Sequence, residues 1–400
     1  MNIFGKVFCR VYQFAFKVAM PLLPYRQPKP IDSIGGVAKL LEEKKVDSVL
    51  LVTDASLRNL KITLPLEESL AASGIKCAVY DGTRPNPTVS NVEEARALYI
   101  KENCKCIIAF GGGSPMDCAK AVGARIAYPK KPLSKLKGLL RVLRRIPMLI
   151  AVPTTAGTGS ETTVTAVITD ESTKHKYTMN NFTTIPHYAV LDAAVTYTLP
   201  PALTATTGMD ALTHAVEAYI GNSTTKDTRA NAKEAVKLVF ANIGAAYKDG
   251  SNHEARANML RAAYVAGLAF TKSYVGYIHA VAHSLGGEYN VPHGFANAVI
   301  MPHVLDIYGT AAHKKLHELG VVACVASEND SHECGAKKFI AAIRKLNSDM
   351  GIPTHIPEIR KEDIPKMAKH AASEANPLYP VPVLMDKKEL EKIYESVMEK

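Results

Sequence analysis

The sequence predicts a two-part molecule, an N-terminal α/β domain built on a parallel sheet and a C-terminal domain made only of helices. Three observations carry this. From about residue 31 to 198, short apolar runs rich in β-branched residues alternate with helical patterns, which is the signal for a parallel sheet covered by helices. After Leu199-Pro200-Pro201 the strand signals stop and alanine-rich helical patterns follow, the double proline marking a boundary because it cannot continue a preceding helix. A chain of 400 residues, 47% hydrophobic and 22% charged, is also long enough for two cores rather than one. The expected division is an extension at 1–30, an α/β domain at 31–198 and a helical domain at 199–400.

The clearest strands are 49–53, 76–80, 106–110, 148–152 and 189–191, with helices at 34–45 and 92–102 between them. In the extension, Ile3, Phe4, Val7, Phe8, Val11, Phe14, Ala15 and Val18 recur at helical spacing, while Lys6, Arg10, Gln13 and Lys17 fall elsewhere on the wheel. This is an amphipathic helix. Arg10 and Lys17 interrupt it too soon for a signal peptide. Docking on the protein's own body or on a neighbouring subunit is the expectation, with membrane-surface contact by residues 1–25 as the alternative.

No run of 18 uncharged apolar residues occurs, which argues against a membrane span. Seven cysteines form an odd set without framework spacing, and the expected compartment is the reducing cytoplasm. The net charge of +10 is concentrated in segments such as 130–145, where Lys130, Lys131, Lys135, Lys137, Arg141, Arg144 and Arg145 alternate with leucines. That pattern suits a solvated face with packed leucines, and no nucleic-acid motif accompanies it.

The run Cys106-Ile-Ile-Ala-Phe110 leads directly into Gly111-Gly112-Gly113-Ser114-Pro115, followed by the helical Met116 and Asp117. Glycines admit a close anion, Ser114 is placed to cap the helix, and Pro115 suits its first position. A pyrophosphate would face that helix N-terminus. Met116 stands where the dinucleotide fingerprint needs its last glycine, so the turn is not of the standard type. Asp54, just past 49–53, is placed to bind a ribose hydroxyl and repel a 2′-phosphate, favouring NAD(H) over NADP(H). A third turn, Pro153 to Glu161, offers Thr154, Thr155 and Thr158 as further donors. A ligand-free tight turn, and a helix cap formed by Asp54, are the plainer alternatives.

In the helical half, Asp210 and His214 are four apart and share a helix face. His279 and His283 form a second such pair, and His293 follows in Pro292-His293-Gly294. One carboxylate with several imidazoles suits a divalent transition metal such as Fe²⁺ or Zn²⁺, whereas Ca²⁺ and Mg²⁺ prefer oxygen shells. Glu217 lies on the first helix as a residue able to orient a ligand, a surface ion pair being the competing role.

These residues resemble the iron-containing (group III) alcohol dehydrogenases, a family that includes lactaldehyde reductases and butanol dehydrogenases. The likeness runs from about Ile31 to the C-terminus. Its markers are Gly111 to Asp117, Pro153 to Glu161, Asp210-Ala-Leu-Thr-His-Ala-Val-Glu217 and the His279, His283, Pro292-His293-Gly294 block. The resemblance implies a dehydroquinate synthase-like fold with a Rossmann-like nucleotide domain. It implies that Asp210, His214, His279 and His293 hold the metal, Fe²⁺ with Zn²⁺ accepting the same ligands, and that His283 is not a ligand but lies near substrate and nicotinamide. Gly111, Gly112, Gly113, Ser114, Asp117, Thr154, Thr155, Thr158 and Lys176 would contact the cofactor. The implied activity is NAD(P)-linked hydride transfer involving a small primary alcohol, diol or aldehyde, by a homodimer or larger homo-oligomer. A glycerol dehydrogenase-like polyol enzyme and a non-catalytic filament or scaffold subunit are the rival readings.

Overall fold

The computed structural model describes residues 1–171 and 175–399. It divides into two compact units, Pro24–Thr198 on one hand and Met1–Leu23 with Leu199–Lys400 on the other. The chain opens with α1 (Ile3–Ala19), which belongs to the second of these.

Pro24–Thr198 runs β1 (Lys29–Ile31), α2 (Gly35–Glu43), β2 (Ser48–Val52), α3 (Ala55–Asn59), α4 (Leu64–Ala72), β3 (Lys76–Tyr80), α5 (Val89–Lys101), β4 (Cys106–Gly111) and α6 (Gly113–Ala127). It continues with β5 (Gly138–Leu139), β6 (Met148–Pro153), β7 (Thr165–Asp170), β8 (His175–Asn180) and β9 (Tyr188–Val190). Six strands form one sheet in the order β1-β9-β6-β4-β2-β3, every pair parallel. All five residues of β2 and all six of β4 are buried, as a strand covered on both faces requires. One face packs Val37, Leu41, Leu66 and Leu70 of α2 and α4, and the other packs Val92, Ala95, Cys118 and Val122 of α5 and α6. Because β3 and β4 flank β2 on opposite sides, the winding reverses there, and open parallel sheets bind ligands beyond the carboxyl ends of the strands at such a point.

Three features depart from expectation. Residues 29–31 form β1, paired with β9, so the sheet begins inside the stretch assigned to the extension. A second sheet, ordered β5-β8-β7, contains an antiparallel pair between β7 and β8. In β7 only Ala166 and Ile168 are fully buried and the residues between them are not, which is the alternation of a strand covered on one face. The basic segment at 130–145 packs only part of its leucines. Leu133, Leu136 and Val142 are buried as expected, but Leu139, Leu140 and Leu143 face outward with the arginines.

The helical unit continues with α7 (Pro201–Ile220), α8 (Lys226–Lys248), α9 (His253–Ser273), α10 (Tyr277–Tyr289), α11 (His293–Tyr308), α12 (Thr310–Val322), α13 (His332–Asp349), α14 (Ile364–Ala375) and α15 (Lys387–Val397). Pro201 sits at the start of α7, where its missing N–H costs nothing, and Gly208–Ile220 is buried on every side. Among the described residues no helix is long and apolar enough to cross a membrane.

Candidate metal centre

Three helices of this unit bring the predicted ligands together. Asp210 and His214 project from one face of α7, His279 comes from the first turn of α10, and His293 is the first residue of α11. One ligand atom from each lies within 4.8 Å of the others. Asp210 Oδ1 is 3.8 Å from His279 Nε2 and 3.5 Å from His293 Nε2. The approach of α11 to α7 depends on Gly294, since a Cβ there would come within 2.4 Å of the Thr206 carbonyl oxygen. Any side chain would push His293 off Asp210.

The rings are held by what surrounds them. His214 is stacked on Phe270 at 4.0 Å and on His279 at 4.4 Å between ring centroids. Glu217, one turn beyond His214, faces His279 Nδ1 at 2.7 Å and accepts from the Gly276 and Ile278 amides at 2.7 and 2.8 Å. Burial pushes the Glu217 carboxyl up to about 7, and hydrogen bonding by the backbone amides of Gly276, Ile278 and His279 works against that shift. With Nδ1–H donated to Glu217, His279 presents the Nε2 lone pair to the cluster. That nitrogen is buried and has no hydrogen-bond partner. A buried acceptor without a donor, beside a buried carboxylate, fits a divalent cation.

His283 stands one turn after His279, its Nδ1 2.6 Å from Glu374, which also accepts from the Tyr379 hydroxyl at 2.8 Å. Its ring stacks on His293 at 5.1 Å. Burial opposes protonation of His283, yet the Glu374 charge and hydrogen bond outweigh it and raise the pKa above the ordinary value. The ligand rings behave oppositely. Burial and neighbouring imidazoles hold His279 well below 6.5, and burial brings His293 down to about 4 although Asp210 counteracts it. Both are therefore neutral and ready to ligate near pH 7.

A sign follows for the chelator-treated protein. The folded state resists a proton on His293 that the unfolded chain accepts near pH 6.5, so this residue costs stability increasingly as pH falls from 6.5 towards about 4. His293→Asn should gain on the parent across that window and hold a constant difference below it. Paired thermal melts in EDTA across pH check this, and a pH-independent difference would refute it.

The turns of Pro24–Thr198 gather in the same manner. Gly111 adopts φ +150°, and a Cβ there would lie 2.6 Å from Pro115 Cγ, so the chain can turn from β4 into α6 only with glycine. The helix starts two residues earlier than expected, which makes Pro115 its third residue and not its first. Gly112 is its N-cap, without a side-chain cap, and Ser114 lies inside the first turn instead of capping it. Gly112 can do this because its extended backbone leads straight into helical Gly113, leaving the first amides for an anion. The Thr154 amide donates to the Gly111 carbonyl at 3.1 Å, and Thr155 and Thr158 lie over Gly112 and Gly113. Asp54 follows β2 and caps α3, its Oδ1 accepting from Ser56 and Leu57. Asp117 accepts from Ser160 Oγ at 3.1 Å and the Val167 amide at 3.0 Å, so it braces this unit from within. Lys176 is exposed on β8 opposite Thr169, outside the hydrogen bonds joining the three turns.

Residues 30–193 match the description of iron-containing alcohol dehydrogenases, and residues 204–398 match the C-terminal part of the same family. The chain belongs to the iron-containing alcohol dehydrogenase family. Among the relatives of this alcohol dehydrogenase, the 1,3-propanediol dehydrogenase of Klebsiella pneumoniae is 38% identical over 366 residues, covering 90% of this chain and 93% of that protein. The NAD-dependent methanol dehydrogenase of Bacillus methanolicus is 34% identical over 346 residues, covering 85% and 89%. A crystal structure of 1,3-propanediol oxidoreductase superposes with a TM-score of 0.89 at 35% identity, over 93% of this chain and 98% of the other.

The structure also brings in residues that spacing did not single out. Glu374 is 91 positions from His283, and no local pattern links them. Asn297 did carry a signal, four residues after His293. It donates to Asp210 Oδ1 at 2.7 Å and so turns the carboxylate. Lys120 is buried and donates to Ser160, Thr163 and the Thr165 carbonyl at 2.8–2.9 Å.

Proposed function

We propose that this protein is a metal-dependent, NAD(P)-linked alcohol dehydrogenase and aldehyde reductase acting on a small primary alcohol, diol or aldehyde. The observation that carries the reading is the buried Asp210–His214–His279–His293 cluster, with Glu217 fixing the His279 tautomer, in a chain of this family. Asp210, His214, His279 and His293 would hold the ion. When bound, a divalent metal supplies a Lewis acid for the substrate oxygen and the nicotinamide an acceptor for its hydride. His283, held by Glu374 and next to His293, takes the proton of the substrate hydroxyl at Nε2 in one direction and returns it in the other.

Several finer assignments belong to the same proposal. The uncapped α6 terminus with Gly111 to Gly113, and Thr154, Thr155 and Thr158 above it, would bind the cofactor diphosphate, with Ser114 in the first turn. Asp117 positions that wall by bracing Ser160, and Lys176 is carried from the family resemblance. Asp54, at the winding reversal of the sheet, supports NAD(H) over NADP(H) through repulsion of a 2′-phosphate. Fe²⁺ is the proposed ion, and Zn²⁺ fits the same ligands. The seven cysteines are all free thiols, which supports a reducing, cytoplasmic setting, and a homodimer or larger homo-oligomer is the proposed assembly.

The deciding experiment is oxidation of NADH and of NADPH by anaerobically purified protein with short-chain aldehydes, alongside elemental analysis. The expected result is about one transition-metal ion per chain and turnover faster with NADH. Metal-loaded protein that turns over no aldehyde or alcohol would end the proposal.

A further inference from the structure

The helix α1 is docked inside out. An amphipathic helix ordinarily buries its apolar stripe, but here the contact is made by the polar edge together with Cys9 and with Phe16, whose ring meets that of Tyr274 edge-on at 5.1 Å. Arg10 donates to the Val381 and Pro382 carbonyls at 2.7 and 2.8 Å, Gln13 to those of Tyr379 and Pro377 at 2.7 and 3.1 Å, and Lys17 to that of Asn222 at 3.0 Å. The apolar stripe faces outward. Phe4 is 82% exposed, Phe8 61%, Val11 62% and Phe14 68%, and Leu22 just beyond is 86% exposed. The expected docking on the protein's own body therefore occurs, through the opposite face. The family match starts only at residue 30, so the family's shared fold does not account for this helix.

A continuous apolar stripe in water calls for a cover, and its surroundings state the chemistry of that cover. No acidic residue precedes Asp32, whereas Lys6, Arg10 and Lys17 border the stripe. Asp386, the nearest carboxylate in contact with α1's start, is paired with the Met1 ammonium group. Beside the helix runs an open groove of about 440 Å³, with Val7, Val11, Pro382 and Leu384 among its apolar walls and Lys6 and Arg10 as its cations. On α1 itself every charged side chain bordering the stripe is positive, and the two carboxylates at its start, Asp386 and Glu389, face the Met1 ammonium group, which matches an amphiphile with an anionic head. A second copy of α1 would bring the same cations against these, which costs energy instead of releasing it. The other unit repeats the chemistry, with Leu139 and Leu143 exposed among Arg141, Arg144 and Arg145.

We propose that α1 is a monotopic attachment site for an anionic lipid bilayer, Phe4, Phe8, Val11, Phe14 and Leu22 entering the acyl boundary while the polar edge stays on the enzyme.

The chain contains no tryptophan, so Phe8→Trp gives a single fluorescent reporter on the stripe. With vesicles of phosphatidylcholine and phosphatidylglycerol in equal amounts, its emission is expected to shift to the blue, and the full-length protein should co-sediment with them. Vesicles of phosphatidylcholine alone should do much less, and added salt should weaken the binding. The triple variant Phe4→Ser, Phe8→Ser, Val11→Ser alters only exposed positions. It should keep its parent's folding and activity while its vesicle partition falls about a hundredfold or more. Unchanged emission with anionic vesicles, equal binding to both vesicle types, or full binding by the triple variant would each overturn the proposal. So would a vesicle-free parent with twice the mass of the triple variant, which would assign the stripe to a second copy.

Discussion

His279→Ala is expected to remove metal binding and turnover together, lowering kcat by at least about a thousandfold. The loss is greater than that of one ligand among four. His279 is the ligand whose second nitrogen is tied to Glu217, and Glu217 is also the acceptor for two amides at the start of α10. Its removal leaves a buried carboxylate with a donor missing and Asp210 with one neutral neighbour fewer. His283→Ala provides the contrast. That residue lies outside the four-atom cluster, so the protein should keep its metal while kcat drops by a factor on the order of 10² to 10⁴, with one ionisation gone from the pH profile. Elemental analysis and NADH oxidation on both variants separate the two roles. A His279→Ala protein that retained metal and activity would remove the centre from the mechanism, and a His283→Ala protein with an unaltered pH profile would remove the proton transfer.

Lys120→Met should destabilise the protein by about 3–5 kcal/mol, although position 120 contacts none of the proposed metal ligands. The ammonium group is wholly buried, and burial pulls its pKa down to about 8 against the opposing charges of Asp117 and Glu161. It satisfies two hydroxyls on the segment between β6 and β7, the segment that supplies Thr154, Thr155 and Thr158, and the carbonyl of Thr165 at the start of β7. Methionine fills the volume but donates nothing, and Asp117 is left without its cation. Asp117→Asn in the same chain should recover part of the loss, because the stranded charge goes with it. Urea denaturation of the parent, both single variants and the double variant measures the coupling. A loss under about 1 kcal/mol for Lys120→Met would mean that water already serves these groups.

The metal centre was legible where helix geometry makes it so. Asp210 and His214 had to share a face at four-residue spacing, and α7 confirms that placement. His279 and His293 come from different helices, and only their residue types and the family likeness tied them to the pair. The Glu374–His283 contact was invisible because it joins α14 to α10 across the fold. In the α/β unit, fully buried strands announce themselves as apolar runs, so β2, β4 and β6 were placed to within a residue. The strands β7 and β8 were missed because they are half-covered and rich in threonine and charge, a pattern shared with loops. For α1, periodicity identified the apolar face, but periodicity carries no information about which face has a partner.

Asp210 and His293 are 83 positions apart, and the proposed ligand set spans α7, α10 and α11. An ion gripping all three is a removable crosslink across much of the helical unit. Its binding free energy adds to that unit's resistance to unfolding by RT ln(1 + [M]/Kd) for free metal M, about 4 kcal/mol at a thousandfold excess over Kd. Metal supply would thereby act on two levels, as the fraction of chains able to turn over and as the lifetime of those chains against proteases. A culture starved of the ion and then refed would recover part of its activity only at the pace of new synthesis.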